Sequence, residues 1–290
     1  EQFSASSGRA SYTETEKGIT VKANGRTFVF SKKDGQLKDV SVNNRKISFA
    51  NGPRFIGARR ADRSLDQFYN HDDEKAKAKD RTYSEFTDAA VFTKLDVKEE
   101  GGNLILTANY KLGNLDKAQW TIHPDGMATL DYTYNFSGVV DLMGICFDYP
   151  EEQVLSKRWL GAGPYRVWQN RIHGTQYDIW ENDYNDPIPG ETFTYPEFKG
   201  YFGSVSWMSI RTKEGTISLT NETPDSYIGV YQPRDGRDWL LYTLPESGIS
   251  VLNVIPPVRN KVNSTDLCGP SSQPKWVDGP QTGRLVLRFE

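Results

Sequence analysis

The chain has 290 residues, a formal net charge of −3 from 35 Lys and Arg against 38 Asp and Glu, and 37% hydrophobic residues. That apolar content is sufficient for a packed core and argues against wholesale disorder. The near-neutral charge lacks the basic field of a nucleic-acid-binding protein and the polybasic patch of a membrane-surface protein. In addition, no apolar run approaches the roughly 18 residues that cross a bilayer. From the charge and the missing apolar run together, we expect neither a nucleic-acid nor a membrane partner.

Alternation of apolar and polar residues runs through the chain and predicts β-strands, because successive side chains of a strand point to opposite faces. The predicted strands, in chain order, are residues 27–31, 90–97, 104–110, 118–122, 128–136, 142–147, 203–211, 216–220, 227–231, 239–242, 249–254 and 284–289.

Short Gly-containing turns separate these strands, and the Pro-Asp-Gly sequence at residues 124–126 is a good hairpin signal because Gly126 can adopt a positive φ. Only residues 71–80 look helical, and their charge on all sides predicts a surface helix or a solvated loop. No strand alternates with a long amphipathic helix, which excludes an α/β sheet. We predict one antiparallel all-β domain over residues 1–290, with residues 1–17 as a linker or an extended lead-in.

Few residues suit cofactor or metal chemistry. His71, His123 and His173 are far apart and lack metal-ligand spacing, so no metal and no cofactor is expected. Cys146 and Cys268 are too few for a disulfide scaffold; they could form one bridge, but two buried thiols are the favoured interpretation.

Adjacent carboxylates occur at residues 72–73, 99–100 and 151–152. Neighbours along a strand point to opposite faces, so a solvated surface is the favoured interpretation of each pair. A retaining glycosidase needs two carboxyl groups that face each other about 5 Å apart. Since no spacing in this chain singles out such a pair, we assign no catalytic residue.

An aromatic-rich segment at residues 157–200 interrupts the strand pattern and is predicted to be a long irregular loop. Sugars combine polar edges with apolar C–H faces, so an aromatic ring beside hydrogen-bonding side chains suits them. We predict carbohydrate contacts from Arg171, Trp180, Glu181 and Tyr195. Two alternatives stay open: Trp180 could pin the loop onto the sandwich, and Arg171 could brace loop carbonyl groups.

The run Trp-Leu-Gly-Ala-Gly-Pro-Tyr-Arg-Val-Trp-Gln-Asn-Arg at residues 159–171 resembles a Trp-x-Gly-x-Gly-Pro-x-x-x-Tyr-x-Asp-Arg motif. That motif belongs to the C-terminal, small-chain domain of large β-galactosidases of glycoside hydrolase family 2. Weaker resemblances lie on both sides of this motif, at residues 30–37, 52–55, 195–207 and 266–270. They occur in the same order as in the family, so the resemblance covers about residues 18–290.

This resemblance implies a large two-sheet supersandwich of the galactose mutarotase-like type. It also implies a non-catalytic domain that completes the rim of a sugar pocket, next to a catalytic barrel in the same longer chain. The chain departs from the family at Asn170, Cys268 and residues 57–62 and 198–199, which leaves the particular sugar open.

Two other functions stay open: a free-standing mutarotase- or lyase-like enzyme, and a glycan-binding module. A mutarotase needs a His base, for which His123 and His173 are the candidates, although an exposed turn is the favoured interpretation of His123. The first residue is not Met, so we expect a processed chain or an excised module, with a periplasmic or secreted location favoured.

Overall fold

The computed structural model describes residues 8–60, 83–86, 89–184, 199–231, 245–257, 271 and 273–290. Its strands, numbered in chain order, form two large antiparallel sheets. The 11-stranded sheet contains β1 (Ser11–Glu14), β2 (Gly18–Ala23), β3 (Arg26–Ser31), β4 (Leu37–Val42), β5 (Arg45–Ile47), β6 (Ala50–Arg60), β7 (Tyr83–Glu85), β12 (Leu142–Asp148), β15 (Phe202–Gly203), β18 (Tyr227–Val230) and β19 (Ile249–Val254). The nine-stranded sheet contains β8 (Val91–Glu100), β9 (Asn103–Lys111), β10 (Leu115–Ile122), β11 (Ala128–Val140), β13 (Val154–Gly163), β14 (Gln176–Asp183), β16 (Trp207–Thr212), β17 (Thr216–Asn221) and β20 (Lys275–Phe289).

The predicted all-β architecture is confirmed. The main path of the larger sheet is β1-β2-β3-β4-β6-β12-β19-β18-β15, and the smaller sheet follows β14-β13-β16-β17-β20-β11-β10-β9-β8. A 3-10 turn spans Glu151–Gln153, and within the described residues no helix is long and apolar enough to cross a membrane.

Aromatic side chains from both sheets meet in the core. Trp120 on β10 is fully buried, and its ring lies 5.8 Å from Phe30 on β3 and 6.1 Å from Phe147 on β12. Phe147 stacks in turn on Phe49, with ring centroids 4.7 Å apart. Aromatic rings bury large apolar areas and prefer such offset or tilted contacts, so this cluster holds the two sheets together.

Strand β12 is buried on both of its faces. Met143, Ile145 and Phe147 point into the main core, whereas Leu142 and Cys146 belong to a second apolar cluster on the opposite face. A strand covered on both sides reads as a continuous apolar run, as Leu-Met-Gly-Ile-Cys-Phe does here.

Several predicted boundaries are wrong. The segment 157–200 was expected to be irregular, but its residues 157–163 and 176–183 belong to β13 and β14, which pair antiparallel. The strand expected over 203–211 is two strands in different sheets, because the chain turns between them at Ser204, where φ is 49°. The strand expected over 284–289 begins nine residues earlier.

Other expectations cannot be compared with the structure. The predicted helix or loop at 71–80 and the predicted strand at 239–242 lie outside the described residues, as do His71, Tyr195 and Cys268.

Within the expected lead-in at 1–17, β1 pairs with β2. Gly126 has φ 87° in the β10–β11 turn, as the Pro-Asp-Gly sequence predicts.

Replacing Trp120 by Ala tests the role of the aromatic core. We expect Trp120→Ala to lower the free energy of unfolding by about 3–5 kcal/mol, because it opens a cavity between the sheets. Trp276→Ala is the matched control, since that ring is 69% exposed, and it should cost no more than about 0.5 kcal/mol. Urea denaturation measures both; equal effects would contradict this account of the core.

Candidate functional site

A polar cavity of about 700 Å³ opens where β6 begins, β12 ends, β18 ends and β19 begins. Antiparallel order brings these four ends together at one edge of the larger sheet. We call it the acidic cavity, because carboxylates outnumber the one guanidinium among its lining residues. Its charged and phenolic lining residues are Arg54, Asp148, Glu151, Glu246, Tyr149 and Tyr231.

A two-point ion pair between Arg54 and Asp148 organises this cavity. Arg54 donates from Nη2 to Asp148 Oδ1 at 2.6 Å and from Nη1 to Oδ2 at 3.1 Å. Asn51 Nδ2 also donates to Asp148 Oδ2, at 2.7 Å. Burial alone would lower the pKa of Arg54, but the hydrogen bond to Asp148 and the neighbouring Cys146 raise it above its ordinary value. The three bonds to its two oxygens hold Asp148 in one orientation.

The backbone at the start of β6 explains how these groups converge. Arg54 lies opposite Cys146 in the sheet register, which puts it on the same face as Asp148 two residues further along. Asn51 has φ 53°, a left-handed conformation that Asn tolerates. At Gly52 a Cβ atom would lie 2.3 Å from Phe147 Cδ1, so only Gly allows this approach.

Glu214 connects the floor of the cavity to the smaller sheet. It lies in the β16–β17 turn and accepts hydrogen bonds from Ser48 N at 2.8 Å, Ser48 Oγ at 2.7 Å and Tyr149 Oη at 2.9 Å. Burial raises the pKa of this carboxyl, but the bonds from Ser48 and Tyr149 outweigh burial and bring it below 4.5. Burial and the nearby Glu214 raise the pKa of Tyr149.

Tyrosines hold the rest of the wall. Tyr231 donates from Oη to the carbonyl oxygen of Tyr149 at 2.6 Å. Tyr184, which follows β14, donates to Glu151 Oε1, and its ring meets the Tyr231 ring edge-on at 5.8 Å. Each contact fixes an acceptor or a ring around the opening, so the cavity is preorganised.

The conspicuous sequence motif at 159–171 has a different location. Trp159 is fully buried, with its ring 4.8 Å from that of Phe202. Further along, Val167 forms a bridge with Tyr201, and Trp168 packs edge-on against the Tyr201 ring at 5.7 Å. Val167, Trp168 and Tyr201 belong to the apolar cluster on the outer side of β12. The motif therefore begins on β13 of the smaller sheet, and its later residues Val167 and Trp168 cover the outer side of the larger sheet.

Three of the four predicted sugar contacts, Arg171, Trp180 and Glu181, lie among the described residues, and the structure does not bring these three together. Trp180 and Glu181 are neighbours on β14 and face opposite sides: Trp180 lies opposite the buried Trp159, and Glu181 lies opposite the exposed Arg158. Trp180 is half-buried against the main core. Arg171 lies in the loop before β14, with its guanidinium 5.7 Å from the centre of the Tyr165 ring.

The acidic cavity itself was missed by sequence reasoning. Arg54 and Asp148 are 94 residues apart in the chain, so no local spacing indicates that they pair. The sequence favoured a solvated surface for both residues of the 151–152 pair. In the structure Glu152 is exposed, whereas Glu151 lines the cavity. The one signal present was that Arg54 falls within the 52–55 stretch of the family resemblance.

The pH dependence of stability tests the Glu214 contacts. A lowered pKa in the folded state means that this carboxylate stabilises the fold above pH 4.5, and that the stabilisation is lost as the pH falls through the folded-state value. We expect Glu214→Gln to be less stable than the parent above pH 4.5 and the two melting curves to converge at lower pH. Glu99→Gln, at an exposed position on β8, should show no such convergence; parallel curves for Glu214→Gln would contradict the assignment.

A second variant tests whether Trp180 is an anchor. Its indole packs directly against Gly163: a Cβ atom at that glycine would lie 2.4 Å from Trp180 Cδ1. We expect Trp180→Ala to cost about 2 kcal/mol in urea denaturation, because half of a large ring leaves the core. Glu181→Ala should stay within about 0.5 kcal/mol. An unchanged stability for Trp180→Ala would instead leave the ring available as a ligand contact.

Comparison with known proteins relates this chain to a sequence family and to solved structures of similar fold. The profile of the family described as beta galactosidase small chain matches residues 22–251. A comparison with curated proteins gave no match. The structure is similar to galactose 1-epimerase from Lactobacillus acidophilus NCFM, with 9% identity, a TM-score of 0.51, and coverage of 98% of this chain and 99% of that one.

A galactose mutarotase-like protein from Lactobacillus casei ATCC 334 has 12% identity and a TM-score of 0.41, over 97% of this chain and 100% of that one. The similarity to the Lactobacillus acidophilus structure confirms the predicted galactose mutarotase-like fold and shows the fold alone. The family profile shows more, since it spans most of the sequence: the chain belongs to the beta galactosidase small chain family, a carbohydrate-related domain.

Proposed function

We propose that the chain is a non-catalytic, carbohydrate-facing domain that completes the rim of a sugar pocket formed mainly by a catalytic barrel of the same longer chain. The acidic cavity is the observation that carries this proposal. It offers carboxylate oxygens in fixed positions beside phenolic groups, and sugar hydroxyls are donors that suit such acceptors.

The state of the carboxylates supports binding rather than bond cleavage. Both oxygens of Asp148 already accept hydrogen bonds, from Arg54 and Asn51. Glu151 accepts one from Tyr184. A glycosidase acid must hold a proton at the scissile oxygen, whereas these carboxylates already accept hydrogen bonds from the protein. These groups therefore suit orientation of a sugar whose chemistry takes place on another domain.

The contacts of the two described histidines give the mutarotase alternative no support. His123 Nε2 shares a hydrogen bond with Thr129 Oγ1 at 2.8 Å, in the β10–β11 hairpin of the smaller sheet. His173 is exposed in the loop before β14. Similarity of fold does not transfer the epimerase activity of the Lactobacillus acidophilus protein to this chain.

The predicted contacts Arg171, Trp180, Glu181 and Tyr195 stay a prediction, and none of the three that the structure describes lines the acidic cavity. The cavity meets β14 at its C-terminal end, through the bond between Tyr184 and Glu151. Arg171 precedes the N-terminal end of the same strand. Eight residues of extended chain lie between these ends, a span of roughly 26 Å.

Sugar titrations of the purified chain test the proposed function. We expect weak binding of methyl β-galactoside or methyl β-glucoside by NMR titration, and Glu151→Gln should weaken it by about tenfold, since a charged acceptor is lost. Glu152→Gln is the matched control and should bind like the parent, because Glu152 is exposed outside the cavity lining.

Activity measurements on the same chain separate the alternatives. We expect no hydrolysis of aryl β-glycosides and no acceleration of galactose anomerisation. Either activity, lost on changing a side chain of this chain, would contradict the non-catalytic proposal. Equal binding by the Glu151→Gln and Glu152→Gln variants would move the sugar site away from the acidic cavity.

A further inference from the structure

A second cavity, of about 470 Å³, shares Arg54 with the acidic cavity. We call it the aromatic cavity, since rings form much of its lining, among them those of Phe86, Phe92 and Tyr110. All three are partly buried against the main core, so part of each ring faces outward. Arg54 is therefore a wall residue of both spaces.

One polar network reaches both cavities. Lys38 Nζ bonds to Asp34 Oδ2 at 2.7 Å and to Gln36 Oε1 at 2.8 Å, and both of these residues line the aromatic cavity. The same ammonium donates to Asn51 Oδ1 at 3.1 Å. Asn51 then donates to Asp148, which holds Arg54. The boundary between the two cavities is therefore fixed by linked hydrogen bonds.

The floor of the aromatic cavity is equally constrained. Tyr110 donates from Oη to the carbonyl oxygen of Asp34 at 2.9 Å, and its ring lies 5.9 Å from that of Phe92. At Gly35, φ is 73° and a Cβ atom would lie 2.7 Å from Phe92 Cε2. The turn before β4 therefore requires Gly for the Phe92 ring to occupy its place.

The two cavities are complementary to different parts of a carbohydrate. Carboxylates on one side accept hydroxyl groups, while flat rings on the other side suit the apolar C–H face of a pyranose. A chain of sugars would use both surfaces.

We propose that the acidic and aromatic cavities form one groove for an oligosaccharide of at least two units. One unit places hydroxyl groups on Asp148 and Glu151, and its neighbour stacks its apolar face on the Phe92 ring, beside the Tyr110 ring that meets Phe92 edge-on. This inference rests on the proposed carbohydrate-facing function and adds to it the length of the ligand and a second subsite.

Paired ligands of different length test the groove. NMR titrations of the purified chain would compare methyl β-galactoside with lactose, and methyl β-glucoside with cellobiose. For at least one pair, we expect the disaccharide to bind more tightly than the monosaccharide. Phe92→Ala should remove that gain, a loss of about fivefold to tenfold in disaccharide affinity with unchanged monosaccharide affinity.

Two further variants separate stacking from folding. Phe92→Leu keeps apolar bulk and loses the flat ring, so it should fold like the parent and show the same selective loss. Trp207→Ala removes a half-buried ring that lines neither cavity, and should change neither affinity.

The outcomes distinguish this inference from the proposed function. Equal affinity for both members of each pair, or Phe92 variants that bind disaccharide like the parent, overturns the groove and leaves the proposed function standing. Absence of binding to all four sugars overturns the proposed function and the groove together.

Discussion

The structure depends on the burial of β12 between two apolar layers. Its inward side chains, among them Ile145 and Phe147, join the core between the sheets. Its outward side, with Leu142 and Cys146, is covered by Val167 and Trp168 from the conspicuous sequence motif. A central strand without a solvent-exposed face is rigid, and its end can therefore present Asp148 in a fixed position.

That rigidity determines the electrostatics of the candidate site. A carboxylate at the end of an exposed strand would be hydrated and mobile, and an ion pair there would contribute little. Here Asp148 has three donors on two oxygens, and Arg54 belongs to the neighbouring strand of the same sheet. The pair is still partly exposed, with 37% and 46% of the two side chains accessible. Its importance is therefore positional: it orients acceptors toward a cavity and separates that cavity from an aromatic one.

Two independent features point to carbohydrate: membership of the beta galactosidase small chain family, and the hydrogen-bond acceptors that line the acidic cavity. The residues behind these two features come from different parts of the chain. The motif that carries the resemblance, at 159–171, has a structural role: Trp159 packs in the main core, and Val167 and Trp168 cover the outer side of the larger sheet. The acidic groups that suit sugar hydroxyls come from β6, β12 and the segments beside β18 and β19. In this chain, the residues that identify the family are thus mostly different from those that line the candidate site.

The sequence by itself determined the all-β class, most strands and the family, because alternation, Gly turns and the 159–171 run are local patterns. It failed where the chain changes sheets, as at Ser204, since alternation continues across the break. Its assignment of Trp180 and Glu181 as sugar contacts stays a prediction, and on β14 these neighbours face opposite sides. Only the tertiary structure could pair Arg54 with Asp148, because strands far apart in sequence become neighbours through long-range hydrogen bonding, and no local spacing encodes that register.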